Sequence, residues 1–416
     1  MKTSKIYFLL PLLVILLSLS ACTGRQSEAA KLTQIAEYVQ TLEAMTPSAS
    51  PTPEPSATPS PSPTATATPT PIAVGPTGFP TNVNPLTGLE VADPTILDRR
   101  PVTIKVSNWP RTGRPHAGLS FADIVYAYPI GNGMDRFLAI YYSQDTTKVG
   151  PIRSGRLVDR FLVNMYKGIL AYAGADSNYV LPKLSGTLGW RAMMEGPNSC
   201  PAICRTGNGG IESVFGDTSA ITKLADERVT KNKTAGTTDP GMNNDRQNLD
   251  GMRFESEVPS YAKDGSHVVS YLGPSNIADW RYDAASGKYL RWIDSESGTN
   301  PPPVVPLVDV LTNEQLGFSN VVYMFAEVKA LNRYDSLHEI TIYGGGLHGK
   351  ALLFRDGKVI EGTWKSPSTQ LPMLFLLPDG SQMPFKPGTS WITIFGQYSE
   401  VKDLGSGEYQ IIYHQP

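Results

Sequence analysis

A proline-rich segment, residues 47–80, is the feature that most limits how this chain can fold. It holds 11 prolines in 34 residues, interleaved with Ser, Thr and Ala. Such a composition buries no core and favours extended polyproline II, which at about 3.1 Å per residue would span about 80 Å over residues 47–72. We therefore expect residues 47–80 to be a stalk that separates an N-terminal segment from the folded part of the protein.

The first 22 residues have the pattern of a secretory signal. Lys2 and Lys5 precede a nearly continuous apolar run at 6–19, which is typical of a signal peptide. Residues 19–22 (LSAC) resemble the bacterial lipobox, in which the cysteine is lipidated and becomes the new N-terminus. We predict that Cys22 is lipidated and anchors the protein to a membrane, on the extracytoplasmic side. An ordinary signal peptide or an uncleaved anchor is the alternative.

Composition shifts along the chain predict its domain organisation. Residues 231–251 are polar and rich in turn-forming residues, which indicates a break between two folded parts. The predicted segments are a lipoprotein signal peptide (1–21), a lipidated N-terminus with a short helix at 27–45 (22–46), the stalk (47–80), an N-terminal domain (84–230), a linker or long loop (231–265) and a C-terminal domain (266–416).

The predicted fold class is α+β. In residues 84–230, strand and helix patterns alternate only partly, which favours a layered α/β domain with a mixed sheet. Residues 101–107 alternate apolar and polar side chains, as a half-buried strand does. From residue 266 onward, short strand patterns and hairpin turns predominate, so the C-terminal domain is predicted to be mainly β.

The overall charge argues against binding to nucleic acid. Thirty-six Lys and Arg residues against 38 Asp and Glu give a net charge of -2, whereas phosphate backbones bind to basic surfaces.

The five histidines show no metal-ligand spacing, so no metal site is predicted, and no cofactor motif is complete. The expected partners are the membrane, through Cys22, and an envelope polymer or protein.

Two cysteines remain for the folded part. Cys200 and Cys204 lie four positions apart in an extracytoplasmic segment, where disulfides persist. A structural disulfide between them is the leading prediction. Free thiols, or a metal or redox role, are the alternatives, although neither neighbouring ligands nor a two-residue spacing supports the latter.

The candidate binding segment is residues 150–156 (GPIRSGR). A hairpin with strands at 122–128 and 134–142 is predicted before it. An amphipathic helix at 157–167 is predicted after it. The segment would thus connect the hairpin to the helix.

Three polar side chains in this segment suit an anion. Arg153 and Arg156 carry planar donor forks that match a carboxylate or a phosphate. Ser154, the loop amides flanking Gly155 and the positive end of the following helix would add to this attraction. Asp176, which with Ser177 is one of two alternative caps predicted for the next helix, is included in the tentative site.

Acidic residues provide the competing interpretation of this segment. The two arginines would pair internally with Asp123, Asp135, Asp159 or Asp176, which would tie the hairpin to the helix. Asp123, Asp135 and Asp176 would alternatively converge as a general acid and base, the arrangement that hydrolases use. The tentative ligand site therefore comprises Arg153, Ser154, Arg156, Asp123 and Asp176, and no catalytic residue is assigned.

Several short motifs together resemble one known family. They lie at 84–88 (NPLTG), 122–126 (ADIVY), 136–139 (RFLA), 150–156 (GPIRSGR), 173–174 (AG), 320–322 (NVV), 356–358 (DGK) and 362–364 (GTW). This set is similar to the YerB-like bacterial lipoproteins, over roughly residues 84–416. The resemblance implies an envelope lipoprotein with two α/β domains and implies no reaction.

The function expected from these observations is that of a membrane-anchored envelope lipoprotein. It would bind an anionic polymer, a glycan or a protein partner without catalysis, because a long stalk serves a binding protein more directly than a soluble-substrate enzyme. A hydrolase or transferase acting on envelope polymers is the alternative. A scaffold whose partner docks on the C-terminal domain is a third possibility.

Overall fold

The structure is a computed structural model that describes residues 73–207, 209–210, 212–236, 241–296 and 299–414. The predicted signal peptide, Cys22, the helix at 27–45 and the stalk up to residue 72 lie outside these residues. All the described residues belong to one unit, Pro69–Pro416. None of the helices in these ranges is long and apolar enough to cross a bilayer.

Strands account for most of the regular structure in the described residues. The helices are α1 (Asp159–Met165), α2 (Val180–Leu188) and α3 (Thr218–Thr234), with short 3₁₀ helices at Pro94–Leu97, Arg111–Gly113, Leu119–Phe121 and Gly189–Arg191. The strands of the first part are β1 (Ala73–Val74), β2 (Val102–Ser107), β3 (Ile124–Gly131), β4 (Met134–Tyr141), β5 (Ile169–Tyr172), β6 (Ala192–Met194), β7 (Ile203–Arg205) and β8 (Val214–Gly216).

The strands of the second part follow after α3. They are β9 (Arg253–Glu255), β10 (Lys263–Asp264), β11 (His267–Gly273), β12 (Asn276–Asp283), β13 (Lys288–Asp294), β14 (Val304–Pro306), β15 (Gly317–Phe318), β16 (Asn320–Ala330), β17 (His338–Thr341), β18 (His348–Arg355), β19 (Lys358–Lys365), β20 (Leu374–Leu376), β21 (Pro384–Phe385), β22 (Ser390–Gly396), β23 (Glu400–Gly405) and β24 (Glu408–Ile412).

One large sheet contains strands from both halves of the chain. Its order is β10-β19-β18-β16-β22-β3-β4-β2-β5-β6, with β17 beside β16 and β20 beside β19. Strands β22 and β3 join the halves as a parallel pair, in which Ser390 lies opposite Ile124. The sheet is mixed, because β2–β5 and β5–β6 are also parallel whereas β3–β4 and β4–β2 are antiparallel.

The remaining strands form smaller sheets. A seven-stranded sheet has the order β14-β13-β12-β11-β24-β23 with β15 beside β13, and β1, β9 and β21 form a three-stranded one. Strands β7 and β8 pair with each other, and Cys200 and Cys204 form a disulfide just before and within β7. The predicted disulfide is therefore present, and the fold is a mainly β member of the α+β class.

Both faces of the large sheet are covered. Tyr126 and Tyr128 of β3 belong to a buried cluster that includes side chains of α1 and α2. Val125 and Ala127 belong to a second cluster, which includes α3 and the seven-stranded sheet. Alternate side chains of a strand point to opposite faces, so the two clusters pack against opposite faces of the large sheet.

This double coverage corrects the prediction of a half-buried strand at 101–107. All six residues of β2 are buried, including Thr103 and Lys105. The alternation in the sequence does separate two faces, but its polar face meets α1 instead of water. Thr103 Oγ1 is accommodated there by donating to the carbonyl of Ile169 at 2.8 Å.

Other local predictions agree with the structure to different degrees. The hairpins β3–β4, β12–β13 and β18–β19 form as predicted. The helix predicted at 157–167 is shorter, since α1 spans Asp159–Met165. The segment at 231–265 contains the end of α3 and strands β9 and β10, and regular structure already begins at Ala73, which pairs with Glu255.

The turn into residues 150–156 requires glycine. Gly150 has a φ of 148°, and a Cβ added there would lie 2.8 Å from Ile152 N and 2.9 Å from Val214 O. We expect Gly150→Ala to lower the free energy of unfolding of the full-length protein by about 1–3 kcal/mol, because backbone atoms yield little. Urea denaturation followed by tryptophan fluorescence measures this.

Gly186→Ala is the matched control for this prediction. Gly186 lies inside α2, and a Cβ there would meet open space. This substitution should raise stability by about 0.5–1 kcal/mol, because alanine loses less backbone entropy in a helix. Equal effects of the two substitutions would contradict the steric requirement at Gly150.

Candidate functional site

Residues 150–156 fill the gap between two parallel strands. Strands β2 and β5 pair directly from Val102 to Ile104, and beyond that point the segment lies between them. Arg153 donates its backbone N–H to the carbonyl of Lys105 at 2.9 Å and accepts from Ala173 at 3.0 Å. The segment thus connects the carboxyl end of β2 to the carboxyl end of β5.

This position is a recurrent place for ligands. Strands β2, β5 and β6 are parallel neighbours, so their carboxyl ends meet at one edge of the sheet. In open sheets with parallel strands, ligands bind in the crevice at that edge, where neighbouring strands diverge. The inserted segment places Arg153 and Arg156 at this edge of the sheet.

A buried lysine lies beneath the segment. Lys105 and Asp159 are both completely buried, and their Nζ and Oδ1 atoms are 3.4 Å apart. The hydroxyl of Tyr128 contacts Lys105 Nζ and donates to Asp159 Oδ1. Lys105 comes from β2, Tyr128 from β3 and Asp159 from the first residue of α1, so this contact holds two strands and a helix together.

Three arginines surround this buried pair. Arg136 Nη1 donates to the carbonyl of Ser154 at 2.8 Å, and Arg156 Nη1 donates to that of Gly155 at 3.2 Å. Arg153 Nε lies 3.4 Å from Ser107 Oγ. We call Lys105, Arg136, Arg153 and Arg156 the basic cluster.

The arginines of the basic cluster are not neutralised by ion pairs. In the described part of the chain, the guanidinium groups of Arg136, Arg153 and Arg156 form no ion pair with a carboxylate, although the backbone N–H of Arg156 does bind Asp159. The Nε atoms of Arg136 and Arg156 are buried and have no hydrogen-bond partner there. A buried donor without a partner is costly, so these two atoms point to a missing acceptor.

Burial and like charge act on the pKa values of the cluster. Burial lowers the pKa of Lys105 to about 7, opposed by Asp159 and reinforced by Arg136 and Arg156. Burial, with Arg156 and Arg153 nearby, lowers the pKa of Arg136 to about 9. Burial also lowers the pKa of Arg156. The guanidiniums stay charged at neutral pH, so the site is strongly electropositive.

The loop amides do not contribute the donors predicted for them. Gly155 donates its N–H to the carbonyl of Gly174 at 2.9 Å, and Arg156 donates its own to Asp159 Oδ2 at 2.6 Å. Helix α1 has only seven residues, and Asp159 occupies its first turn. Asp159 and a neighbouring carbonyl group therefore already use these two amides, and an anion would be held mainly by side chains.

Asp176 lies near the cluster at its exposed rim. Its charge raises the pKa of Arg156, and its Oδ1 accepts the N–H of Tyr179 at 2.6 Å. Helix α2 begins later than predicted, at Val180, so Asp176 caps the turn before the helix. Arg153, Ser154, Arg156 and Asp176 are thus brought together, although none of the arginines forms an ion pair with Asp176 in the described residues.

Asp123 is not part of this group. It is buried and bound by Asn84 Nδ2 at 2.9 Å, by the backbone N–H of Tyr142 at 2.6 Å and by the hydroxyl of Ser143. Burial raises the pKa of its carboxyl group. Five residues of strand separate Asp123 from Tyr128, which is about 16 Å. Its role is to anchor the loop at Asn84 to the hairpin.

The alternative in which Asp123, Asp135 and Asp176 converge as a general acid and base does not fit the strand register. Asp135 lies opposite Pro129 near the hairpin turn, whereas Asp123 lies at the other end of β3. Asp135 Oδ1 accepts from Asn108 Nδ2 at 2.6 Å and from Asn276 Nδ2 at 3.0 Å. Asp123, Asp135 and Asp176 are therefore fixed by separate partners, and the pairing predicted between Arg153, Arg156 and these aspartates is absent from the described residues.

Three members of the site were not found from the sequence. Lys105, Tyr128 and Arg136 were read only as strand residues. Arg136 lies opposite Ser107 on one side and opposite Tyr128 on the other. The available signal was a lysine at 105 on the polar face of β2 and an arginine at 136 on the face of β4 that carries Leu138 and Ile140.

Aromatic side chains can stack on sugars, and five such residues of this chain, of which most are part of the core, are Trp109, Tyr126, Tyr141, Trp190 and Trp364. Tyr126, Tyr141 and Trp364 are almost fully buried. Trp109 is partly exposed and lies under the guanidinium of Arg111 at 4.5 Å, and Trp190 lies 5.8 Å from that of Arg100. Stacking on a sugar is thus limited to the two partly exposed tryptophans of this set.

Two family domains match the chain. "Protein of unknown function (DUF3048) N-terminal domain" matches residues 86–231, and "Protein of unknown function (DUF3048) C-terminal domain" matches residues 267–392. The chain belongs to this family. The whole basic cluster lies within the N-terminal match.

A Bacillus subtilis protein supports this assignment. The chain is 28% identical over 326 residues to "Putative lipoprotein YerB" of Bacillus subtilis (strain 168), covering 74% of this chain and 85% of the relative. The crystal structure of YerB from Bacillus subtilis superposes with a TM-score of 0.57 at 25% identity, covering 75% of this chain and 96% of that one. The resemblance to YerB-like proteins predicted from the motifs is confirmed.

The buried lysine predicts a pH dependence of stability. Since the folded pKa of Lys105 is about 7 and its usual value is 10.5, the unfolded chain holds more protons between these pH values. Stability conferred through this group therefore rises as the pH increases above 7. We expect Lys105→Met to reduce the increase in the urea midpoint of the full-length protein between about pH 7 and about pH 10, an interval within the range set by the two pKa values.

Lys402→Met is the control, because this substitution removes the same charge from a side chain on the surface of β23. The control should keep the dependence of the urea midpoint on pH. An unchanged slope in Lys105→Met would show that Lys105 does not titrate near neutral pH.

Proposed function

We propose that this protein is a membrane-anchored lipoprotein of the bacterial envelope whose folded unit binds an anionic partner at the basic cluster. The anchor is supported by the pattern of residues 1–22 and by the Bacillus subtilis relative, which is named as a lipoprotein. The binding role is supported by the charges around Asp159. The proposal places the protein outside the cytoplasm.

The anchor has a direct test. Lipidation of Cys22 would hold the protein on the membrane, since buried acyl chains contribute about 0.8 kcal/mol per CH₂. We expect Cys22→Ala to move most of the full-length protein from the membrane fraction to the soluble fraction of cells, as measured by immunoblotting. Cys200→Ala/Cys204→Ala is the control and should remain with the membrane.

The observation that carries the binding role is an imbalance of charge. Four cationic side chains of the basic cluster surround one buried carboxylate, Asp159, and two buried Nε atoms among them have no partner. A structural network of arginines would be neutralised by acidic partners, and here the predicted aspartates bind elsewhere. An anionic polymer, an acidic glycan or an acidic protein segment would supply the missing charge.

Binding fits this arrangement better than catalysis does. A hydrolase or transferase acting on envelope polymers would need a general acid or base beside the arginines. Asp123 is about 16 Å along the strand from Tyr128. Asp159 is completely buried under Lys105 and the hydroxyl of Tyr128. We therefore propose that the protein binds its partner without catalysis. Turnover of wall material by the purified protein would instead establish the hydrolase or transferase.

Retention on envelope material tests the binding site. Arg153→Ala/Arg156→Ala should lower the fraction of full-length protein, in nonionic detergent, that sediments with purified cell-wall material by at least about tenfold, because charge-assisted hydrogen bonds contribute about 1.5–3 kcal/mol each. Lys329→Ala/Lys402→Ala removes the same charge from two exposed positions and should not change retention. An equal loss of retention in both double variants would show that retention depends on net charge and not on the basic cluster.

We also propose how the two family domains divide the described part of the chain. We infer a layered α/β domain at 84–230, in which the β5–α2–β6 crossover packs a helix on the sheet, and a mainly β domain at 266–416. The seven-stranded sheet, built wholly from the second segment, supports this division. The shared large sheet means that the two domains would fold together.

A further inference from the structure

We propose that the group bound by the basic cluster is a terminal phosphate monoester, which carries two negative charges. This inference rests on the proposed anion-binding function and names its ligand class. It is drawn from the charge of the site, the shape of its donors and the position of two acidic residues at its rim.

The charge of the cluster exceeds what a single carboxylate can balance. Arg136, Arg153 and Arg156 contribute three permanent positive charges, and Lys105 contributes a fourth when protonated. Asp159 balances only one of them. A carboxylate ligand would leave an excess of positive charge in a largely buried site, whereas a phosphate monoester contributes about -1.5 to -2 at neutral pH.

The free donors also suit a tetrahedral group. Arg136 and Arg156 each use one Nη1 atom for a backbone carbonyl and retain a buried Nε without a partner. Arg153 belongs to the inserted segment and lies beside the end of β2, where its Nε is 3.4 Å from Ser107 Oγ. Donors from three separate side chains match a group with three terminal oxygens, and arginine forks bind phosphate in a bidentate manner.

Acidic residues at the rim limit what extends beyond the phosphate. The charge of Asp176 acts on Arg156, and that of Glu212 acts on Arg153. Glu212 Oε1 accepts from Thr112 Oγ1 at 2.7 Å, which fixes it at this position. These carboxylates would repel a second phosphate next to the first, so a terminal monoester fits better than an internal unit of a polyphosphate chain.

Titration calorimetry with two matched probes tests the ligand class. Full-length protein in nonionic detergent at pH 8 is titrated with phenyl phosphate, a dianion, and with benzoate, a monoanion of similar size. We expect phenyl phosphate to bind at least about tenfold more tightly than benzoate. Arg153→Ala/Arg156→Ala should weaken phenyl phosphate binding by at least about tenfold, and Lys329→Ala/Lys402→Ala should leave it unchanged.

The outcomes separate this inference from the proposed function. Two results would overturn the phosphate ligand and leave the proposed anion site in place. One is equal affinity for the two probes, and the other is no binding of phenyl phosphate while retention on wall material still depends on Arg153 and Arg156. Binding of phenyl phosphate that is unaffected in Arg153→Ala/Arg156→Ala would overturn the basic cluster as the location of the phosphate site. Loss of arginine dependence in the retention assay would overturn the proposed function itself.

The source of the phosphate is distinguished by competition. Glucose 6-phosphate and mixed detergent micelles that contain phosphatidylcholine and phosphatidic acid are compared as competitors of phenyl phosphate, with mixed micelles that contain phosphatidylcholine alone as the control. Displacement by glucose 6-phosphate supports a phosphorylated glycan end. Displacement by the acidic micelles alone supports a lipid headgroup. Displacement by neither contradicts a phosphate monoester ligand.

Discussion

The contact between Lys105 and Asp159 is the constraint on which the centre of this structure depends. Removing two charges from water costs several kcal/mol per ion, and the cost is offset only where the two charges are held together with further hydrogen bonds. Tyr128 supplies such a bond, and Arg156 supplies another through its backbone N–H. Because the partners come from β2, β3, α1 and residues 150–156, this contact fixes four parts of the chain at once.

The inserted segment turns this structural contact into a candidate site. By lying between β2 and β5, residues 150–156 place Arg153 and Arg156 at the edge where parallel strands end. Their backbone amides are already used, and their side chains face Arg136 with no acidic partner in the described residues. The site is therefore basic, and the segment provides two of its four cationic side chains, while β2 and β4 provide the others.

Parts of this arrangement could be predicted and others could not. The motif at 150–156, the hairpin before it and the disulfide at Cys200 and Cys204 follow local patterns, and the structure contains them. The competing interpretation, in which Arg153 and Arg156 pair with nearby aspartates, does not hold. Asp123 and Asp135 lie near opposite ends of the hairpin. Which end a side chain occupies depends on strand register, and composition does not determine register.

The sequence by itself determined the local features of the chain: a proline-rich segment, a pattern at Cys22 that resembles a lipobox, two cysteines four positions apart and a short segment with two glycines and two arginines. These features depend on residues that are close together in the sequence. Only the tertiary structure decided that Lys105, Tyr128, Arg136 and Asp159 meet the two arginines, and that both faces of the strand carrying Lys105 are buried. Their meeting depends on how sheet and helices pack, since residues distant in sequence become neighbours only when the chain folds.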